Sequence, residues 1–358
     1  MSRTIMIMAG GTGGHIFPAL SVADALRRDG WNVVWLGSRG GMEATLIPAR
    51  GYTMAWIRIA AVRGKGWLRA LLLPLDLLIA FWQAARAIFF HRPDVVLGMG
   101  GYVAFPGGMM ASLLNRPLVI HEQNSVAGLA NRVLARLADR VLTGFPGAFG
   151  ARLAAEWSGN PVREDIAAVA APQARFRERA GRLKLLVIGG SQGARVLNTV
   201  VPDALALTPI ADRPEVTHQA GATHADELRK RYREWGVDAE VMAFIDDMAH
   251  RYAAADLVIC RAGASTIAEI AVVGLASLLV PYPYAVDDHQ TTNARFLAER
   301  GAALVIPQPM FTPERLAALL RDLTREKLLA MARAARDAGK PDATHAVARI
   351  CRELAHAA

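Results

Sequence analysis

The chain has 358 residues, 53% of them hydrophobic and 20% charged; it is too long for one ordinary core, suits two domains, and is not a disordered polymer. A formal net charge of +9 favours phosphorylated ligands, anionic lipid or nucleic acid, yet there is no zinc-finger spacing and no aromatic RNA-binding signature, so nucleic acid is not expected as a partner. The two cysteines, Cys260 and Cys351, are far apart; they offer neither a metal spacing nor a disulfide framework and fit a reducing compartment.

The chain begins with a short apolar run that ends in glycine, "TIMIMAGG", read as a first strand and not as a targeting segment. The glycines continue through "GGTGGH", Gly10 to His15, and a helical pattern follows. The β-rich runs "WNVVWLG", "PDVVLGMG", "PLVIHEQ" and "DRVLTGF" come next, with helical stretches such as "GLANRVLARLA" between them. Strands alternating with helices imply a parallel sheet covered on both faces. Residues 62–93 are apolar nearly all round a helix. Leu71, Leu75, Leu78, Ile79 and Trp82 follow helical spacing, while Pro74, Asp76 and Arg86 make a poor membrane span. The pattern fits a core helix or one lying against lipid. Arg58, Arg63, Lys65, Arg69, Arg86 and Arg92, opposed here only by Asp76, favour docking on an anionic membrane surface.

A second cycle starts at "RLKLLVIGGSQGARVLN" and continues through "PEVTHQA", "AEVMAF", "DLVICRAG" and "ASLLVPYP". It repeats the first, so two Rossmann-like doubly wound parallel-sheet domains are expected, facing a cleft. The expected boundaries are 1–162, 163–340 and a C-terminal helix, 341–358, packing back on the first domain. The break falls in "SGNPVRED", where Gly, Asn and Pro interrupt the pattern.

Three glycine turns, Gly10–Gly14, Gly98–Gly101 and Gly189–Gly193, follow strands. Such turns expose backbone N–H groups where a helix dipole is positive, which suits a diphosphate. None completes G-x-G-x-x-G or G-x-x-x-x-G-K-[ST], so a dehydrogenase and a P-loop nucleotidase are disfavoured. The plainer alternative is that the glycines only make tight turns. "GGSQG" matches G-x-S-x-G, so a serine hydrolase using Ser191, with Asp246 or Asp287 and His289, competes; no oxyanion-type "HGGG" accompanies it.

The ordered set "GGTGGHIFPAL", "GMGGYV", "HEQNSVAGLANR", "GNPVR", "GGSQGAR", "FIDDM", "RAGASTIAE" and "DDHQTTNA" resembles the MurG family over nearly the whole chain. Ala104 and Phe105 stand where the family usually has a serine after "GGYV", and Ala130 stands where threonine is common. The resemblance implies the GT-B architecture and a peripheral enzyme on the cytoplasmic face of the bacterial inner membrane. It also implies inverting transfer of N-acetylglucosamine from UDP-GlcNAc to the C4 hydroxyl of lipid I (undecaprenyl-pyrophosphoryl-MurNAc-pentapeptide), forming lipid II. A UDP-GlcNAc 2-epimerase of similar fold is the nearest alternative.

On that resemblance the second domain holds the donor. Arg163, Ser191 and Gln192 serve its diphosphate, Ile245 meets uracil through its backbone, and Ala264, Ser265, Thr266, Ile267 and Ala268 bring helix-start N–H groups. Glu269, in the first turn of that helix, accepts the ribose hydroxyls, and His289 and Gln290 hold sugar hydroxyls. The first domain meets the acceptor: Thr12, Gly13 and Gly14 touch its diphosphate or the donor across the cleft, and Asn124 and Asn131 serve as polar positioning groups. His15, Glu122 and Tyr102 are the candidate bases, and the alternative for His15 is a helix N-cap that orients phosphate without moving a proton. No D-x-D occurs, and the adjacent pairs Asp246–Asp247 and Asp287–Asp288 do not form a metal–diphosphate clamp, so neither a metal requirement nor a cofactor is expected.

Overall fold

The computed structural model describes residues 2–59, 67–150, 153–177, 179–190 and 193–357, except the side chains of residues 67–73 and 286. The chain forms two compact units, Met1–Arg163 with Asp342–Ala358, and Glu164–Pro341.

In the first unit the chain runs β1 (Thr4–Met8), α1 (Gly13–Arg28), β2 (Asn32–Ser38), α2 (Glu43–Ala49), β3 (Thr53–Ile57), α3 (Trp67–His91), β4 (Val95–Gly98), α4 (Ala104–Leu113), β5 (Leu118–Glu122), α5 (Leu129–Leu134), β6 (Arg140–Thr143) and β7 (Glu156–Trp157). The strands form one sheet in the order β3-β2-β1-β4-β5-β6-β7, and every pairing is parallel. Strands covered on both faces read as continuous apolar runs, and the period of two sorts their side chains between two cores. Ile5 and Ile7 of β1 pack on one face with Val33, Trp35, Val95 and Leu97, beneath α1. Met6 and Met8 point the other way, with Val34, Leu36, Val96 and Ile120, toward Ala84 and Ile88 of α3 and Ala104 and Ala111 of α4.

The second unit contains α6 (Glu164–Ala167), α7 (Pro172–Phe176), β8 (Lys184–Ile188), α8 (Arg195–Ala206), β9 (Glu215–Gln219), α9 (Ala225–Glu234), β10 (Ala239–Met242), α10 (Met248–Ala254), β11 (Leu257–Cys260), α11 (Ala264–Val273), β12 (Ala276–Leu279), α12 (His289–Ala298), β13 (Ala303–Val305), α13 (Pro313–Asp322) and α14 (Arg325–Ala338). Its sheet order, β10-β9-β8-β11-β12-β13, repeats that of the first six strands of the other sheet and is also parallel throughout. Helix α15 (Ala343–Ala357) returns to the first unit, where Val347, Ala348, Ile350 and Cys351 enter the core beside α1. Thr344 fixes the return, since its hydroxyl donates to the Val162 carbonyl at 2.9 Å and accepts the Val162 N–H at 3.2 Å.

In each sheet the strand order reverses beside the first strand, between β1 and β4 and between β8 and β11. Doubly wound sheets bind ligands beyond the carboxyl ends of their strands at this point. The loops after β1, β4, β8 and β11 are "GGTGG", "MGGYV", "GGSQG" and "RAG". All the glycine turns singled out in the sequence therefore lie at switch points.

Candidate active site

At the first switch point, α1 begins at Gly13, with Thr12 as its N-cap; the Thr12 side chain makes no capping bond and is exposed. His15 is thus the third helical residue and not the cap. The turn before it is braced from below. Glu43 is 0% exposed; one of its carboxylate oxygens accepts the Gly11 N–H at 3.0 Å, and the other accepts from Ser38 N at 3.1 Å and Ser38 Oγ at 2.8 Å. Ser38 Oγ lies 3.0 Å from the Tyr102 hydroxyl. Because the Ser38 proton points at the carboxylate, Tyr102 donates to Ser38. Trp35 Nε1 donates to the Ala9 carbonyl at 2.8 Å, holding the strand end.

The glycines of the loop after β4 are explained mainly by packing, not by bare approach to phosphate. A Cβ on Gly101 would lie 2.3 Å from the Gly10 carbonyl oxygen, and one on Gly100 would lie 2.6 Å from His15 Nδ1. Both have positive φ, +80° and +90°, which glycine adopts without cost. This loop closes on the first and leaves room for the imidazole.

The other residues expected to meet the acceptor fall into two groups. Glu122 is 3% exposed and accepts four bonds: Asn124 N at 2.9 Å, Asn124 Nδ2 at 3.3 Å, Gly128 N at 3.1 Å and Asn131 Nδ2 at 2.9 Å. A carboxylate enclosed by four donors clamps the loop from 124 to 131 and is poorly placed to take a proton from a ligand. Asn131 is buried with it and braces the same loop through Glu122; Asn124 is half-buried and also turned to Glu122. His15 remains the titratable candidate with a half-exposed ring, bonded through Nδ1 to Gln123 Oε1 at 2.9 Å.

In the second unit, Ser191 and Gln192 lie outside the described residues. Around them, Gly193 (φ +76°) has room for no Cβ, which would sit 1.9 Å from the Ala220 carbonyl oxygen, whereas Gly190 (φ +85°) faces open space. Helix α11 starts at Ala264 behind Gly263, so the first turn offers Ala264, Ser265 and Thr266; the Ile267 side chain is buried. Glu269 is the sixth residue of α11, in the second turn and not the first as expected from the motif. Its Oε2 accepts the hydroxyl of Tyr252, from α10, at 2.9 Å. Ile245, in the loop between β10 and α10, is 3% exposed. Gln290 Oε1 accepts Ala262 N at 3.2 Å and Tyr282 N at 2.9 Å, so this side chain ties together the loops after β11 and β12. Asn293, fully buried, donates to the Ala262 carbonyl at 3.2 Å. His289 opens α12 after two left-handed residues, Asp287 and Asp288 (φ 52° and 49°), a strained approach of the kind found at ligand sites. Arg163, half-buried, ends the first of the two chain segments that make up the first unit.

Sequence comparison assigns these loops to a family. Residues 5–143 match the glycosyltransferase family 28 N-terminal domain, and residues 184–347 match its C-terminal domain. A transferase of Aromatoleum aromaticum named UDP-N-acetylglucosamine--N-acetylmuramyl-(pentapeptide) pyrophosphoryl-undecaprenol N-acetylglucosamine transferase is 63% identical, over 99% of this chain and 98% of its own length. The protein of that name from Dechloromonas aromatica is 59% identical, over 99% and 100%. The chain belongs to the MurG family within glycosyltransferase family 28. The crystal structure of Acinetobacter baumannii MurG is similar with a TM-score of 0.86 at 38% identity, covering 98% of this chain and 99% of that one. A kitacinnamycin glycosyltransferase, TM-score 0.69 at 18% identity, shares the fold. The epimerase and hydrolase readings find no support in these comparisons.

Sequence reasoning passed over Glu43, Ser38, Tyr252 and Asn293. Each lies outside the glycine turns; Glu43, Ser38 and Asn293 brace loops from neighbouring elements, and Tyr252 holds the Glu269 side chain of α11.

Proposed function

We propose that this family 28 member transfers N-acetylglucosamine from UDP-GlcNAc to the C4 hydroxyl of lipid I, releasing UDP and forming lipid II with inversion at the anomeric carbon. The observation that carries the reading is full-length identity of 63% and 59% to transferases bearing that name, in a chain whose glycine turns lie at the switch points of both sheets.

The chemistry follows from the residues present. The second unit takes the donor: the α11 N-terminus and the turn after β8, with Ser191 and Gln192, receive the diphosphate, assisted by Arg163. Glu269, oriented by Tyr252, accepts the ribose hydroxyls; the Ile245 backbone meets uracil; and the Gln290 NH2, its oxygen being held by backbone, meets the sugar beside His289. The first unit takes the acceptor, its diphosphate on Thr12, Gly13 and Gly14 at the start of α1. His15 Nε2 removes the C4 hydroxyl proton as the oxygen bonds to the anomeric carbon, and the bond to the diphosphate breaks with its electron pair leaving on UDP. General-base catalysis of this kind is worth roughly 10²–10⁴-fold.

An acceptor anchored in lipid calls for an enzyme at the membrane surface. No helix among the described residues is long and apolar enough to cross one. Helix α3 turns Ala80, Ala84 and Ile88 inward and exposes Leu75, Leu78, Trp82, Phe89 and Phe90. Arg58, Arg86 and Arg92 are also exposed; Arg63 and Lys65 and the side chains of Leu71 and Arg69 lie outside what is described. An apolar stripe with basic neighbours supports peripheral docking on an anionic inner leaflet.

The test is incubation with labelled UDP-GlcNAc and a short-chain lipid I analogue. A β-1,4 disaccharide product with stoichiometric UDP is expected, and His15→Ala should lower turnover at least a hundredfold with little change in the KM for UDP-GlcNAc. UDP release without acceptor-linked product would reject the assignment.

A further inference from the structure

The motif "HEQN" holds two buried side chains to which nothing above gives a role, His121 and Gln123, at 0% and 1% exposure. Their hydrogen bonds can be read in one direction only. His121 Nε2 lies 2.9 Å from the Gly159 carbonyl oxygen, and a carbonyl only accepts, so this nitrogen carries hydrogen and Nδ1 holds the lone pair. Burial pushes His121 down to about 4, so the ring is neutral at physiological pH. Gln123 Nε2 sits 3.2 Å from His121 Nδ1 and 3.3 Å from the His121 carbonyl oxygen. Both are acceptors, so this end of the amide is the NH2 and the other end is the oxygen. That oxygen lies 2.9 Å from His15 Nδ1, which must therefore carry hydrogen. In a neutral imidazole the lone pair then belongs to Nε2.

Asn160 Nδ2 donates to the main-chain carbonyl of Gln123 at 2.9 Å, so the "GNP" segment holds the Gln123 backbone as well as supplying the Gly159 acceptor. Gly100 provides the space, because a Cβ there would stand 2.6 Å from His15 Nδ1 and 3.3 Å from Gln123 Oε1.

We propose that Gln123 is a positioning residue that holds His15 as the Nδ1–H tautomer, with Nε2 ready to accept a proton, and that His121 and the Gly159 carbonyl in turn fix the direction of the Gln123 amide. The catalytic part of this inference rests on the reading of His15 as base. A free imidazole favours hydrogen on Nε2, the form that cannot take the proton at that atom. The relay holds the less favoured tautomer and sets the ring plane.

The experiment is a long-range ¹H–¹⁵N spectrum of the uniformly labelled full chain, with the His15 signals assigned by their loss in His15→Ala. The wild type should show a pyrrole-type Nδ1 and a pyridine-type Nε2 for His15. Gln123→Met should shift His15 toward Nε2–H and lower kcat about 10–100-fold, the scale seen when a metal-bound imidazole loses its outer hydrogen-bond partner, with the KM for UDP-GlcNAc changed less than threefold. Gln123→Glu keeps an acceptor facing Nδ1 and should restore the Nδ1–H signature, but it loses the donor to His121 and adds a charge beside Glu122, so kcat should return only in part. A wild-type spectrum with Nε2–H at His15, or a folded Gln123→Met enzyme with wild-type tautomer and turnover, would overturn the relay. Near-normal turnover in His15→Ala alongside an Nδ1–H wild-type spectrum would instead remove His15 as base while leaving the hydrogen-bond assignment standing.

Discussion

Replacing Glu43 by glutamine tests how the first glycine turn is held. The change keeps shape and removes one acceptor. Glu43 Oε1 takes two bonds from Ser38, and Oε2 takes the Gly11 N–H. An amide has one oxygen, so whichever way it turns, an NH2 meets a backbone N–H. The smaller loss leaves Gly11 N–H unpaired and keeps both Ser38 bonds. An orphaned donor costs about 1–3 kcal/mol, and bonds to a carboxylate are stronger than those to an amide. Gly11 is only half-buried, so water recovers part, and about 1–3 kcal/mol is the expected destabilisation. In a unit of this size that lowers the melting temperature by roughly 3–10 °C. Urea unfolding followed by tryptophan fluorescence reports on the right unit, since every tryptophan except Trp235 belongs to it. Because Gly11 leads directly into α1 and His15, kcat/KM for lipid I should also fall at least tenfold. A variant within 0.5 kcal/mol of wild type, with kcat/KM within twofold, would refute the idea that this buried carboxylate positions the loop.

Three other outcomes are expected. Leu75, Leu78 and Trp82 are 56%, 65% and 64% exposed; changing all three to serine removes about 1 kcal/mol of interfacial burial apiece and should weaken binding to anionic vesicles roughly a hundredfold in co-sedimentation, while unchanged binding would move the docking surface elsewhere. Burial holds His121 at about 4 and His218 at about 3, against 6.5 for the ordinary side chain; the unfolded chain therefore binds more protons, so their stabilisation is complete above pH 6.5 and falls as pH drops toward 4, by up to about 1.4 kcal/mol per pH unit for each residue, and flat stability over that window in denaturant titrations would contradict the buried neutral rings. Helix N-termini and arginine in place of a D-x-D clamp imply that EDTA leaves UDP release within twofold, whereas loss restored by Mg²⁺ would show that the diphosphate needs a cation.

What the sequence revealed and what it hid divide along a physical line. Strands buried on both faces leave dense apolar runs, so β1, β2, β4, β5, β6, β8, β9, β11 and β12 were legible, as was the edge strand β10. β3, β7 and β13 also lie at sheet edges, where one partner and short length suffice, and "TMAWI", "EW" and "ALV" carry too little pattern to stand out. The glycine turns were legible because strand, turn and helix follow one another directly along the chain. Side-chain partnership is not local in this way. Glu43 reaches Gly11 across 32 positions, and Gln123 reaches His15 across 108. Nothing in the spacing announces either pair.

The same distinction accounts for the misplacements. A carboxylate beside amides in "HEQN" is the composition of a catalytic site and equally of a loop clamp; the four donors around Glu122 support the clamp. The residue between that clamp and His15, Gln123, is neither an acid nor a base, so its chemistry does not mark it out in the sequence. Yet an amide has a donor end and an acceptor end, and can transmit direction between two imidazoles without itself changing charge. A carboxylate in its place would bring a second negative charge next to Glu122 in the same buried loop. Glutamine can orient the proposed base while leaving the local charge unaltered, close to where an anionic diphosphate is proposed to sit, and that gives the motif a physical reason to carry an amide at this position.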